Sequence, residues 1–299
     1  MKPGWKTTAI GRHLVDVPAD AIALGSHQYN NVPIKLLGEV KSQSEFNWEV
    51  DERERILRAT NHEKFGTMFV DRVQHANGSL TLISWDWPKS DDAYRFDTYF
   101  RVGSHTLQYS GVVSADRRSS ALSVRDELSR EWQLIEPGSI PGGIGFVVGD
   151  MMLSDSMFNR ESWSLGIRLA GKPDVSFGIA SYTKGKASPG LRDRAGGFLT
   201  GLLSAMAGLH QLRNRSRPVG PIEADEILMA ATQDGKRLYA FKWEAPGKVH
   251  SLAEPNLNVS LQVVESAYTT NRESFATDEE ALEIWDAVVD SIRLRPGAV

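Results

Sequence analysis

The sequence predicts an α+β fold in two domains, each a mainly antiparallel sheet with helices packed on one face, the two arranged around a cleft. Three observations predict it. The pairs Asn77-Gly78 and Asp234-Gly235 sit between alternating runs, the pattern of tight hairpins. Helical periods are few and widely spaced, which implies helices laid on sheets rather than strand–helix alternation. The stretch Pro137 to Gly143 holds two prolines and three glycines in seven residues, so it divides the chain into domains at 1–136 and 144–299 with a linker at 137–143.

Taken in order, Ala9 to Val17 reads as one strand ended by Pro18, and Val32 to Val40 as a second extended segment. Ser42-Gln43-Ser44-Glu45 has capping-box spacing, and Phe46, Val50, Arg53 and Leu57 behind it share a helical face. Thr67 to Trp87 forms a pair of strands around Asn77-Gly78. Tyr94 to Phe100 alternates like a strand, with His105 to Ser114 as its partner. Ala121, Val124, Leu128, Trp132 and Ile135 step as a closing helix. After the linker the same plan runs again. Strands are expected near Gly145 to Leu153, Ser162 to Ala170 and Val175 to Tyr182, then a helix over Leu191 to Arg213. A hairpin at Asp234-Gly235 and a strand over Asn256 to Val264 follow. Thr277 opens the last helix with Glu280 at the capping-box position, and Leu282, Trp285, Val289 and Ile292 form its buried stripe. Each half thus ends in a helix centred on one tryptophan, Trp132 or Trp285.

Composition narrows the function. A chain of 299 residues can build two real cores, and its 41% hydrophobic and 24% charged residues are those of a soluble globular protein. A net charge of −4 gives no basic footprint for nucleic acid. Cysteine is absent, which removes disulfides, thiolate catalysis and cysteine zinc sites together. The opening Met1-Lys2-Pro3-Gly4-Trp5 is followed by no apolar run, so a leader is expected to be missing from this form or never to have existed. The apolar stretch Phe198 to Leu209 is too short to span a bilayer.

A search for chemistry comes back empty. The histidines at 13, 27, 62, 75, 105, 210 and 250 include no pair three to five residues apart, so no helical metal pair exists. Gly201-Leu202-Leu203-Ser204-Ala205 fails the spacing of a nucleophile elbow. Val148 stands where a dinucleotide loop after Gly143 and Gly145 needs its last glycine, and Gly185-Lys186-Ala187-Ser188 lacks the upstream glycine of a phosphate loop. No catalytic residue, metal site or cofactor is therefore expected.

The marks of a family lie at the two ends. Gly11-Arg12-His13-Leu14-Val15-Asp16-Val17-Pro18 stands near the start. Trp243-Glu244-Ala245-Pro246-Gly247, a following Pro255 and strand, and a terminal helix closing on Ser291-Ile292-Arg293-Leu294-Arg295-Pro296 stand near the end. In these segments and their order the chain resembles the immunity proteins that accompany the fourth class of type VI secretion lipase effectors. The resemblance implies a periplasmic inhibitor without enzymatic activity, made with a Sec or lipoprotein leader, that protects a bacterium from a delivered phospholipase. It also implies a cognate lipase effector as partner, gripped in the cleft, with a monomer or a one-to-one complex as the assembly. Inhibition would act by occluding substrate access or by holding the lipase lid closed.

Three loops stand out as contact candidates. Trp85 to Tyr94 mixes aromatics with acids and offers Trp87, Asp91, Asp92 and Tyr94. Thr183 to Arg194, rich in Gly, Lys and Arg, offers Lys184, Lys186 and Arg192; Ala245 to Asn256 offers Lys248, His250 and Glu254. The plainer reading makes Trp85 and Trp87 core and the charges solvated. Arg12, Asp16 and Glu244 lie in or beside strands and are expected to maintain the fold. Two rival functions stay open. One is an envelope scaffold with a non-lipase partner. The other is an enzyme assembled from dispersed His, Asp and Ser, which needs a deep pocket with two of them in hydrogen-bond reach.

Overall fold

The computed structural model describes residues 2–75, 77–136, 138–154, 157–194, 209–233, 235–263 and 274–299. The chain divides into two compact units, Met1–Ser26 with Phe158–Val299, and His27–Met157. Antiparallel sheets dominate, with few helices.

The first unit begins with a hairpin of β1 (Trp5–Ile10) and β2 (His13–Pro18), and β18 (Arg293–Leu294) adds a third strand beside β2. The hairpin turns at Gly11, whose φ of +55° and close approach to the Trp163 indole leave no room for a Cβ. Next to it Arg12 is buried. Its Nε and Nη2 donate to Glu161 at 2.8 and 2.5 Å, and its Nη1 donates to the Ala298 carbonyl. The Arg295 N–H returns a bond to the Arg12 carbonyl at 2.8 Å.

The main sheet of this unit runs in the order β14 (His210–Ser216), β15 (Asp225–Gln233), β16 (Lys236–Ala245), β17 (Asn256–Val263), β13 (Ser176–Tyr182) and β12 (Glu161–Arg168). Every pairing between them is antiparallel. Helix α3 (Asp278–Val289), capped by Thr277 through the Glu280 N–H, covers one face and seats Trp285 5.9 Å from Phe177 and 5.6 Å from Phe241. Below the helix lies a buried charge. Glu226 on β15 accepts from Trp285 Nε1 at 2.7 Å and from Arg217, while Arg215 and Arg213 stand 3.1 and 3.8 Å away. Asp286 and Asp290 hold the far ends of these arginines at 2.6 and 2.8 Å. A carboxylate taken out of water is tolerated only with such partners. Trp243 completes the layer by donating to the Arg217 carbonyl at 2.9 Å.

The second unit starts inside β3 (Ile22–Tyr29), whose residues from His27 onward belong to it. Its sheet continues through β4 (Val32–Glu39), β8 (His105–Ser114), β7 (Ser90–Val102), β6 (Leu80–Trp87) and β5 (Phe69–Gln74). Helix α1 (Gln43–Ala59), capped by Ser42 through the Glu45 N–H, packs Phe46, Val50 and Leu57 against Leu80, Leu82 and Tyr99. Helix α2 (Arg118–Glu131) instead packs Ala121 and Leu122 against Ile83, Phe96 and Val113. Leu82 pairs with Asp97 and Ile83 with Phe96, so the two sets alternate along β6 and β7 and point to opposite faces. Arg53 of α1 reaches Asp97 at 3.1 Å on one side, and Arg125 of α2 lies over the Phe96 ring at 4.7 Å on the other. A small sheet of β10 (Phe146–Val148), β11 (Met151–Leu153) and β9 (Trp132–Leu134) ends this unit.

Several expectations change. Helices on one face does not hold in the second unit, where α1 and α2 sandwich the sheet; both faces of β6 need cover because its run from Leu80 to Ser84 is buried throughout. The division by contact falls at 26/27 and 157/158 and not at 137–143. Residues 138–143 connect β9 to β10, and both strands pair with β11. The single strand expected over Ala9 to Val17 is two, folded at Gly11. The α2 stripe stops before Trp132, which enters β9 opposite Leu153. Of the helix expected over Leu191 to Arg213, residues 195–208 lie outside the described residues, and 210–213 begin β14.

Glu226→Ala strands the arginine cluster and opens a hole under Trp285. It is expected to lower stability by about 3–5 kcal/mol, read as a fall in the urea midpoint with an unchanged slope.

Candidate partner-binding surface

In the second unit, β6 and β7 are joined by a tight hairpin in which Trp87 faces Ser90. Trp85 is partly buried, stacks on Phe65 with ring centres 4.6 Å apart and planes 10° apart, and meets Tyr94 at 4.7 Å. Behind them the buried His62 ring accepts the Lys64 and Phe65 N–H groups at Nδ1, at 3.2 and 3.3 Å. Its other nitrogen therefore carries the proton and donates to the Ser90 carbonyl at 3.1 Å. This histidine pins loop 62–66 against the hairpin. The result is a fixed aromatic tip. Trp87 projects from it at 63% exposure, and Asp91 and Asp92 are exposed at its rim. Lys64 pairs with Asp91, and Lys89 with Glu63 at 3.1 Å. The core reading thus fits Trp85 and fails for Trp87.

The other two loops share the first unit. The His250 N–H donates to the Lys184 carbonyl at 2.9 Å, and a bridge joins Lys184 to Val249. Loop 245–256 closes on itself where Lys248 N–H meets the Glu254 carbonyl at 2.7 Å and their side chains pair at 2.7 Å. Gly247 makes this neck possible: its φ is +63°, and a Cβ there would run into the Pro255 carbonyl. Lys184 itself is buried and donates to Ser188 at 3.4 Å, whereas Lys186, Arg192, Lys248, His250 and Glu254 are exposed. Leu191 anchors the neighbouring segment by packing on Ile227 and Met229, and Arg194 pairs with the buried Glu244. The structure therefore joins Lys184, Lys248, His250 and Glu254 in one loop pair, while Trp87, Asp91, Asp92 and Tyr94 form a separate tip in the other unit.

Two clusters bear on catalysis. His75 lies between Asp126 at 3.3 Å and Thr81 Oγ1 at 2.8 Å, an order that copies an acid–base–hydroxyl relay. Thr81 is fully buried and bonded onward to Thr98 at 2.9 Å, so its hydroxyl has no path to a substrate. Arg12, His13, Glu161, Ser181 and Thr183 converge on a cavity of only about 10 Å³, room for about one water. Among the described residues no three His, Cys, Asp or Glu side chains gather as a metal site, and no helix is long and apolar enough to cross a membrane.

A family model described as the Tle cognate immunity protein 4 C-terminal domain matches residues 139–297. An apo structure of the immunity protein TplEi of the T6SS from Pseudomonas aeruginosa is 33% identical, superposes with a TM-score of 0.91, and covers 99% of each chain. This chain belongs to the Tle cognate immunity protein 4 family. A chain in the crystal structure of the Tle4-Tli4 complex is likewise 33% identical with a TM-score of 0.91, over 100% of both chains. TplEi complexed with an "L" peptide gives 32% and 0.86, over 99% of this chain and 100% of that one. No curated protein matches. The family is one of immunity proteins and not of enzymes, so the two buried clusters are structural. Its marks are too: Arg12, Glu244 and Arg295 are buried, and Asp16 accepts from Thr7 at 2.8 Å and pairs with Arg293 at 3.1 Å.

Burial holds the His13 and His27 rings at a pKa of about 4, with Arg12 beside His13 adding to the effect. In the unfolded chain each takes a proton below about 6.5, but in the folded chain only near 4. Stability is thus complete above that upper value and falls as pH drops through the window, by up to about 3 kcal/mol per ring. Urea unfolding between about pH 7 and about pH 5 should show this loss, and His13→Gln with His27→Gln should flatten it. A stability independent of pH across that range would contradict the assignment.

Proposed function

We propose that this chain is an immunity protein that binds a cognate type VI secretion phospholipase effector and inhibits it. The observation that carries the reading is the 33% identity across the whole of both chains with a chain of the Tle4-Tli4 complex. The role needs shape and not turnover. A lethal enzyme must be held with slow dissociation, which calls for roughly 1,600 Å² of interface with a few buried aromatic anchors. Trp87 on its fixed tip is such an anchor, with Asp91 and Asp92 exposed beside it and Tyr94 packed on the neighbouring Trp85.

Each unit contributes contacts, the Trp87 tip from one and the loops carrying Lys184, Lys186, Arg192, Lys248, His250 and Glu254 from the other. In this proposal they close on the effector as the two arms of a clamp around a cleft. Loops fixed in advance by His62, Gly247 and the His250–Lys184 bond lose little freedom on binding, which favours affinity. The grip blocks lipid entry or keeps the lipase lid shut. The site of action in this reading is the periplasm, where such an effector would meet lipid.

Titrating the purified chain into its cognate phospholipase should abolish lipid hydrolysis at near-equal stoichiometry. Full hydrolysis with no complex on a sizing column would overturn the reading. Trp87→Ala should weaken the complex by about tenfold or more without changing thermal stability, because the ring is already in water in the free protein.

A further inference from the structure

Between loop 245–256 and the turn at Val219–Ile222 lies an open cavity of about 180 Å³. Its walls are the apolar groups of Ile222, Ala245, Pro246, Ala253, Pro255 and Leu257. That volume is well under the roughly 300–1,000 Å³ of small-molecule sites, yet equals about six waters at ~30 Å³ each. The size suits one amino-acid side chain. The walls are built in advance. Val219 and Ile222 exchange two backbone bonds of 3.0 Å each, and the neck of the facing loop is closed by Lys248, Glu254 and Gly247 as described.

Glu223, Lys248 and Glu254 stand at the mouth. Lys248 and Glu254 neutralise each other at 2.7 Å. Glu223 is exposed, and its carboxylate has no hydrogen-bond or ion-pair partner among the described residues. The mouth therefore carries one uncompensated negative charge above an apolar floor. A side chain complementary to both has an apolar stem and a cationic head.

We propose that this cavity receives a single arginine or lysine side chain of the effector, its methylenes against Pro246, Pro255 and Leu257 and its charge on Glu223. The inference rests on the immunity reading and deepens it: it names the chemistry of one contact on the partner. That a relative is crystallised with a bound peptide accords with recognition of a short segment rather than a cofactor.

The test uses the full chain and its cognate phospholipase in a surface-binding assay, with Glu223→Gln, Glu223→Lys and Ala253→Trp. Both positions are exposed, so all three variants should keep the melting temperature of the parent. Ala253→Trp fills the cavity and should weaken binding by about tenfold or more. Glu223→Lys should do so by a similar factor, and Glu223→Gln by a few-fold, with part of the parent's salt dependence lost in both. If the parent binds and all three variants bind within about twofold of it, the cavity proposal falls and the immunity reading stands. If the parent itself does not bind, both fall. Weakened binding by Ala253→Trp together with unchanged binding by Glu223→Lys would also overturn the cationic side chain, since only an apolar occupant fits that result.

Discussion

One buried guanidinium holds the first unit together. Arg12 follows a turn at a glycine with positive φ pressed against Trp163, and it donates to Glu161 and the carbonyl of Ala298. A charge with so little access to water must be matched on every side. Residues 12, 161 and 298 are therefore obliged to fold as one piece, and Arg295 closes the ring with its own N–H. The marks at 11–18 and 291–296, from opposite ends of the chain, are thus neighbours in one cluster.

A second charge, Glu226, does similar work under α3. It links three arginines and the Trp285 indole, and through Arg217 it positions Trp243 at the end of β16. Glu244 follows, pairs with Arg194, and leads directly into the neck at Gly247. Loop 245–256, one of the candidate contact loops, thus hangs from a charged, close-packed base. Rigid loops on such a scaffold suit a molecule that works by blocking another.

The helix ends were legible because capping is local. Ser42 with Glu45 and Thr277 with Glu280 are read from four residues, and both caps form. So were the strands that alternate cleanly, such as β7 and β17. What sequence could not reveal depends on distant partners. Arg12 and Glu161 are 149 residues apart, and nothing near either announces the pair. Glu226 is fully buried, and its partners Arg217 and Trp285 lie 9 and 59 residues away. The stripe ending in Trp132 and Ile135 keeps helical period, yet pairing with β11 captures the backbone after Glu131. At the surface, composition picked out three candidate loops and missed the order within the first: Trp85 is packed and Trp87 is not, with a register shift between them. The Glu223 cavity gave no signal, since its walls come from two turns far apart in sequence.

In the proposed mode of inhibition, preformed loops are the gripping surface. Amide hydrogen exchange on the chain, alone and with its cognate phospholipase, reports on this. Complex formation should slow exchange in 86–92, 184–190 and 246–256 while leaving the strands around Glu226 as slow as before. Protection confined to other segments, with those three loops exchanging as in the free chain, would contradict it.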